Sequence, residues 1–182
     1  YHSRLGPNHP ETIWIYFEKA LITKKLGQYD KALTFMEDTI NSLSNEVGNN
    51  HINLIRAKYE KAILFKEKGE IAKAEKQLKQ VSEQYSRILK DHHPDTLAAF
   101  SALATVYETR TRYAEAVEMY QKIEKLQAEA LGPSAPQRLQ TINLLADIYR
   151  LQARYPEAKK LLDENLTKIT AQFGENHHFA LL

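Results

Sequence analysis

The sequence predicts an all-α repeat solenoid of four antiparallel helix pairs, and three observations predict it. Alanine recurs with a period of 42 residues, at Ala20, Ala62, Ala104 and Ala146 and again at Ala32, Ala74, Ala116 and Ala158, 12 residues separating the two alanines of each unit. The residue three before the second alanine keeps step as Tyr29, Ile71, Tyr113 and Tyr155, as does a linker read as Leu5-Gly6, Val47-Gly48, Leu89-Lys90, Leu131-Gly132 and Phe173-Gly174. The chain also holds only six glycines and six prolines, too few for the strand turns of a propeller of similar repeat length. Fixed-period self-similarity marks a solenoid, which offers an extended concave surface rather than a closed pocket.

The units run approximately over 10–48, 52–90, 94–132 and 136–174, with 175–182 opening a further repeat. In the first, the first helix stops at Leu26-Gly27, glycine being suited to a left-handed helix end. Gly69 and Glu70 serve the second unit in the same way. In the third, Pro94 opens a helix at a position where its missing N–H costs nothing. Leu97, Phe100, Leu103, Ala104 and Tyr107 then recur at helical spacing, and Tyr113, Ala116, Val117, Tyr120 and Ile123 carry the second helix after a turn at Thr111-Arg112. In the fourth, Pro156 sits in the opening turn of the second helix. Breaks are expected near 27, 48, 69, 90, 111, 132 and 153. The pairs Glu75–Lys79, Glu83–Arg87 and Glu118–Lys122 are spaced to support second helices of about 17 to 19 residues. The alanines fall where helices cross, because only a small side chain lets backbones approach to roughly 8–9 Å.

Composition excludes more than it selects. With 182 residues, 43% of them hydrophobic, the chain can bury a continuous core. A formal charge of +2 gives no global case for nucleic acid. The absence of cysteine excludes disulfides, thiolate–zinc sites and cysteine nucleophiles, and fits a cytoplasmic compartment. No run approaches the roughly eighteen apolar residues of a membrane span. There is no initiator Met, and Leu5-Gly6 reads as the tail of a preceding unit. His177 to Leu182 restart the pattern, with Leu181 in register with Ile13, Ile55, Leu97 and Leu139, so the expectation is a segment of a longer array without end caps.

His9, His51, His93 and His177 share one register, with His92 and His178 beside two of them. Zinc would require ligands within about 2.0–2.3 Å of one ion. Residues one repeat apart lie roughly 10 Å or more apart, so the expected role is to end the loop and cap the next helix. No phosphate loop, His-Glu-x-x-His or nucleophile elbow is present. The sequence therefore predicts no catalysis, metal or cofactor. From Arg56 to Lys79 there are eight basic and four acidic residues, an excess that could meet an acidic peptide or a phosphate backbone. These charges are spread around both helices as on a solvated face, and a nucleic-acid reader would want more stacking aromatics than Tyr59 and Phe65.

These units resemble the tetratricopeptide repeat, whose signature runs aromatic-x-x-Leu-small-x-x-aromatic and then Ala-x-x-x-aromatic. The third unit matches through Phe100, Leu103, Ala104, Tyr107, Ala116 and Tyr120, and the fourth through Ile142, Leu145, Ala146, Tyr149, Ala158 and Leu162. Lys19 and Lys61 depart from the leucine position, leaving either looser packing or lysine stems along the groove wall. The signature's final proline is missing, its places being Ser44, Ser86, Ala128 and Thr170, and the unit is longer than the usual repeat of about 34 residues. The loops Leu5-Gly6-Pro7-Asn8-His9-Pro10-Glu11-Thr12 and Asp91-His92-His93-Pro94-Asp95-Thr96 look like those of kinesin light chains and related arrays of this longer repeat. The resemblance implies a right-handed superhelix whose concave groove is lined by the first helix of each pair.

Carried over residue by residue, that face comprises Trp14, Phe17, Leu21 and Lys24, then Arg56, Tyr59, Ile63 and Lys66, then Ala98, Ser101, Thr105 and Glu108, and finally Gln140, Asn143, Asp147 and Arg150. Trp14 is either an interface anchor or a residue packed on a preceding repeat. Asn143 and Asp147, one turn apart, suit the holding of an extended backbone, or are ordinary exposed polar residues. Repeats that clamp a C-terminal carboxylate use Lys, Asn and Arg where this chain has Phe17, Leu21, Glu60, Ala98 and Ala102, which argues against that specificity. Kinesin light chains take peptides with a tryptophan flanked by acidic residues, and the basic, aromatic half of this face is similar. The resemblance implies a module that binds a protein or peptide, as in a scaffold or adaptor. The alternative is a sensory domain whose peptide or small ligand controls an attached transcription regulator, kinase or nucleotide-switch protein.

Overall fold

The computed structural model describes residues 9–47, 50–132 and 135–173. Among the described residues eight helices follow one another: α1 (Pro10–Lys25), α2 (Tyr29–Val47), α3 (Ile52–Lys68), α4 (Ile71–Leu89), α5 (Pro94–Thr109), α6 (Tyr113–Leu131), α7 (Pro136–Leu151) and α8 (Tyr155–Phe173). No strand occurs among the described residues. The expected breaks near 27, 69, 90, 111, 132 and 153 all fall between helices. The break at Gly48 lies outside the described residues, as do Leu5, Gly6, Gly174, His177, His178 and Leu181. The chain forms two compact units, Tyr1–Lys90 and Asp91–Leu182. In the first, α1 packs on α2, α2 on α3 and α3 on α4; in the second, α5, α6, α7 and α8 follow the same order.

The helix starts explain the histidine register. His9, His51 and His93 are each the residue before a first helix, and each imidazole Nδ1 accepts a backbone N–H two residues on, from Glu11 at 3.3 Å, Asn53 at 3.3 Å and Asp95 at 3.1 Å. That bond satisfies one of the amides a helix start leaves without an internal partner. Ala135 fills the equivalent place before α7 and supplies no such bond.

The turn inside each pair is equally regular. Gly27, Gly69, Thr111 and Ala153, each 42 residues from the next, all adopt left-handed backbone with φ between 56° and 86°. The following amide reaches back across the helix end, from Gln28 to Thr23, Glu70 to Phe65, Arg112 to Tyr107 and Arg154 to Tyr149, at 2.8–3.1 Å. The geometry closes the helix by satisfying carbonyls that would otherwise be orphaned. Glycine adopts this conformation freely, whereas Thr111 and Ala153 bear the steric cost of a Cβ.

Both alanine rows are buried throughout. Around them the first unit packs Ile13, Phe17, Met36, Leu43, Leu54 and Leu64. The second unit buries Phe100, Leu103, Val106, Tyr120, Ile123 and Ile148. Lys19 and Lys61 resolve their departure from the signature by extending over rings, Lys19 Nζ 5.7 Å from the Phe35 centroid and Lys61 Nζ 5.6 Å from that of Phe65. Lys61 also pairs with Glu37 of α2 at 2.8 Å, so its charge lies between neighbouring helices rather than along a groove. Of the three expected intrahelical pairs, Glu75–Lys79 forms at 2.8 Å. Arg87 instead reaches Asn50 at 3.3 Å, and Lys122 reaches Asp91 at 2.9 Å, because each loop brings an acceptor nearer than the next helical turn does.

Two stability outcomes follow from these ends. A Cβ on Gly69 would meet no atom within 4 Å, so Gly69→Ala should cost only the left-handed strain, about 1 kcal/mol, while Ala153→Gly should be neutral to stabilising by a similar amount. Removing the cap with His93→Ala should cost about 1 kcal/mol, and Ala135→Asp should recover a comparable amount for α7. Urea unfolding followed by circular dichroism reads all four.

Candidate partner-binding faces

In the first unit, Trp14 projects from the second turn of α1 with 57% of its surface exposed. Its ring stacks on Phe17, centroids 5.8 Å apart and planes inclined by 23°. Phe17 is itself buried, and the guanidinium of Arg56 on α3 lies over its ring at 5.7 Å. Phe17 is thus a floor rather than an open contact, a change from the sequence expectation that arises because α3 closes over it. Trp14, Phe17 and Arg56 together wall a hollow of about 330 Å³, with Leu43 and Glu46 from α2 and His51 from the start of α3 completing it.

Farther along α3 lie Tyr59, Ile63 and Lys66, all half-buried and none of them lining that hollow. Tyr59 leans on Tyr85 of α4 at 6.4 Å. Lys24 is bound to Glu60 at 2.9 Å, so its charge is already answered. Among the described residues, Arg56 and Lys66 are the cations of this face without a carboxylate partner.

The second unit presents polar chemistry. Thr105 donates its hydroxyl to the Ser101 carbonyl at 2.9 Å and lies 3.5 Å from the Tyr120 hydroxyl. Burial pushes the Glu108 carboxyl above the usual carboxylate range, and the charge of Asp147 pushes it further. Burial likewise raises the Tyr120 phenol, opposed by the Thr105 hydrogen bond and reinforced by Glu108. Asp147 is held by Arg150, whose Nε and Nη2 both donate to Oδ1 at 3.2 Å. Asn143, Asp147 and Arg150 line an open hollow of about 540 Å³ with Tyr155 and Leu162 of α8. Ser101 lines a different one, of about 330 Å³, with Ala98, Gln140 and Leu144.

The expected residues therefore gather as Trp14, Phe17 and Arg56 in one unit and Asn143, Asp147 and Arg150 in the other. Leu43, Glu46, Tyr155 and Leu162 were missed because they belong to second helices, whereas the groove reading used first helices alone. Their signal was present in the apolar spacing of α2 and α8, but that spacing does not distinguish a packed position from one at a hollow's edge. No three His, Asp or Glu side chains are grouped to hold a metal ion among the described residues. Nor is any helix among them long and apolar enough to cross a membrane.

The tetratricopeptide repeat family matches residues 53–129 and 110–167. Among solved structures, the chain is similar to a Podosopora anserina protein described as a kinesin light chain of nearly identical TPR-like repeats. The two are 25% identical with a TM-score of 0.82, over 95% of this chain and 82% of that one. BtubC (BKLC) from P. vanneervenii shares the fold at 18% identity and a TM-score of 0.77, over 91% of this chain and 66% of that one. A Rap protein complexed with Competence and Sporulation Factor shares it at 14% identity and a TM-score of 0.69, over 88% of this chain and 43% of that one. No curated protein matches the sequence.

The Glu108 carboxyl titrates above its unfolded value, so the folded state holds its proton to higher pH and loses stability as pH rises through the folded value. Thermal unfolding from the ordinary carboxylate range up to neutrality should show this fall in wild type. Glu108→Gln should flatten it and raise the midpoint at neutral pH.

Proposed function

The chain belongs to the tetratricopeptide repeat family, and from that premise we propose that it is a cytoplasmic, non-catalytic interaction module whose first-helix faces take a peptide or helix of a partner protein. The observation that carries this reading is the hollow beneath Trp14. An exposed indole, a buried phenyl and an arginine over its face enclose about 330 Å³, a volume suited to one large apolar side chain. Indole and guanidinium groups are also those most enriched where binding energy concentrates.

In this reading Arg56 and Lys66 attract carboxylates flanking the inserted side chain, and Tyr59 and Ile63 extend the apolar wall. On the second unit Ser101, Thr105, Asn143, Asp147 and Arg150 supply donors and acceptors for a partner's backbone and polar side chains. Glu108 and Asp147 leave that face acidic, so it suits basic or neutral residues where the first unit suits acidic ones.

Peptides selected from a displayed random library on the intact chain would test this. Those binding the first unit should pair a bulky apolar residue with Asp or Glu. Trp14→Ala should cost them about 2 kcal/mol or more, and Lys66→Ala should cost little and mainly reduce the salt dependence. Unchanged affinity in Trp14→Ala and in a Tyr59→Ala/Asn143→Ala variant of intact helicity would place binding elsewhere.

A further inference from the structure

The repeat gives every position equivalents whose surroundings can be compared. Two buried positions of the second unit differ in kind from their equivalents in the first. Arg138 of α7 stands where α3 has Leu54, and Asn165 of α8 where α4 has Val81, each pair two periods apart. Leu54 and Val81 are fully buried. Arg138 and Asn165 are 7% and 6% exposed, so a guanidinium and a carboxamide replace two core aliphatic groups. Burying such groups costs stability unless their polar atoms find partners. Arg138 is answered by an ion pair with Glu124 of α6. Asn165 is not, for its Oδ1 is buried without a hydrogen-bond partner among the described residues.

Both side chains line a cleft of about 280 Å³ among α6, α7 and α8. Its α8 wall is the side that carries Leu161 and Asn165, not the side of Leu162 and Leu166, so the cleft lies within the unit. Buried Ile142 and Leu145 of α7 give it apolar surface. Much of the polar lining is already engaged. Gln121 Nε2 donates to the Tyr149 hydroxyl at 3.2 Å, and Arg138 and Glu124 hold each other. What remains lies on α8. Lys168 has no carboxylate partner among the described residues, and Glu164 is 3.9 Å from Lys160, too far for a hydrogen bond. These two are one turn apart on the same side of the helix, and Asn165 lies between them in sequence. Within one turn the cleft therefore offers a carboxylate, an ammonium and a buried carbonyl that lacks a donor.

We propose that this cleft is a binding site for a free α-amino acid. The ligand's ammonium donates to Asn165 Oδ1 and faces Glu164, while its carboxylate faces Lys168. A free amino acid carries both charges on one carbon, which matches opposite charges held a single turn apart; a peptide presents only one of them at either end. The volume is just below the roughly 300–1,000 Å³ of sites that take drug-sized molecules, so the occupant is small. Ile142 and Leu145 cover its side chain, which selects aliphatic amino acids over charged ones. None of these residues lines the hollow under Trp14 or the one bounded by Asn143, Asp147 and Arg150. The site thus goes beyond the peptide-binding reading and is tested apart from it.

Calorimetric titration and thermal unfolding of the 182-residue chain with free leucine, isoleucine and valine test this. At least one of the three should bind saturably at a single site and raise the unfolding midpoint. Its N-acetyl and amide derivatives, each lacking one charge, should bind about tenfold more weakly or worse. Asn165→Val, which installs the first unit's residue, should raise the midpoint of the ligand-free chain by removing the unmet carbonyl, and should abolish the response to the amino acid. Glu164→Gln and Lys168→Met, both at exposed positions, should keep the fold and each weaken binding by about tenfold. Peptides selected on the first unit should bind Asn165→Val as they bind wild type, so failure of this site leaves that reading standing. Five results would overturn the proposal: no response to any of the three at millimolar concentration, leaving the cleft to water; equal binding of the N-acetyl or amide form, marking a site for a single charge; a response that survives Asn165→Val; a lower ligand-free midpoint in that variant, marking a partner for the amide within the fold; or unchanged affinity in both charge variants.

Discussion

The close approach of helices at the buried alanines is the constraint on which the rest of the structure depends. Ala20, Ala62, Ala104 and Ala146 on first helices and Ala32, Ala74, Ala116 and Ala158 on second helices are all buried. A larger side chain at any of them would hold the two backbones apart and spread the larger residues that interlock around the crossing. Once the crossings are set, every other position has a defined duty. Phe17, Phe100 and Tyr120 fill the space beside the crossing, and the left-handed residue at each turn sends the chain back antiparallel.

Positions without such a duty are the ones that vary in chemistry. Along the first helices the exposed or half-buried face changes from Trp14 through Arg56 and Tyr59 to Ser101, Asn143 and Asp147, while the buried crossing positions stay alanine at Ala20, Ala62, Ala104 and Ala146. A surface can carry specificity only where substitution leaves the core intact, and here the repeat separates the two sets cleanly. The first unit pairs aromatic area with unanswered cations. In the second, two acceptors on the face are engaged locally, Asp147 Oδ1 by Arg150 and the Ser101 carbonyl by Thr105. A partner approaching Asp147 Oδ1 or the Ser101 carbonyl must therefore exchange a bond rather than supply a missing one, which favours discrimination over strength there.

Most of the fold was legible because the period repeats each piece of evidence. One Gly-Tyr pair is a weak turn signal; the same slot at Gly27, Gly69, Thr111 and Ala153 remains convincing even though two of its members are not glycine. The capping role of His9, His51 and His93 was legible for the same reason. The hollow under Trp14 was only half legible. Its first-helix members follow from helical spacing, but its other wall comes from Leu43, Glu46 and His51, whose convergence depends on where α2 ends against α3. Burial of Phe17 was likewise hidden, since it depends on Arg56 of α3 reaching over its ring. Neither is a property of one helix, so neither is written in one helix's pattern.

The fourth helix pair shows how far the repeat tolerates departure. Arg138 stands where the other units have Thr12, Leu54 and Thr96, and Asn165 where they have Thr39, Val81 and Ile123. Arg138 is buried and forms an ion pair with Glu124 of α6, whereas the Asn165 Oδ1 is buried without a hydrogen-bond partner among the described residues. A buried ion pair contributes little net stability over apolar packing, but it is intolerant of misalignment, because a shifted helix would leave a charge unpaired. Arg138 therefore fixes the register of α7 on α6 where apolar residues alone would permit sliding. This pair also lacks the imidazole cap, having Ala135, and carries Ala153 in the left-handed slot. Local helix-end stability has been relaxed where a specific polar contact constrains the packing, so register and stability are assigned to different residues within one repeat.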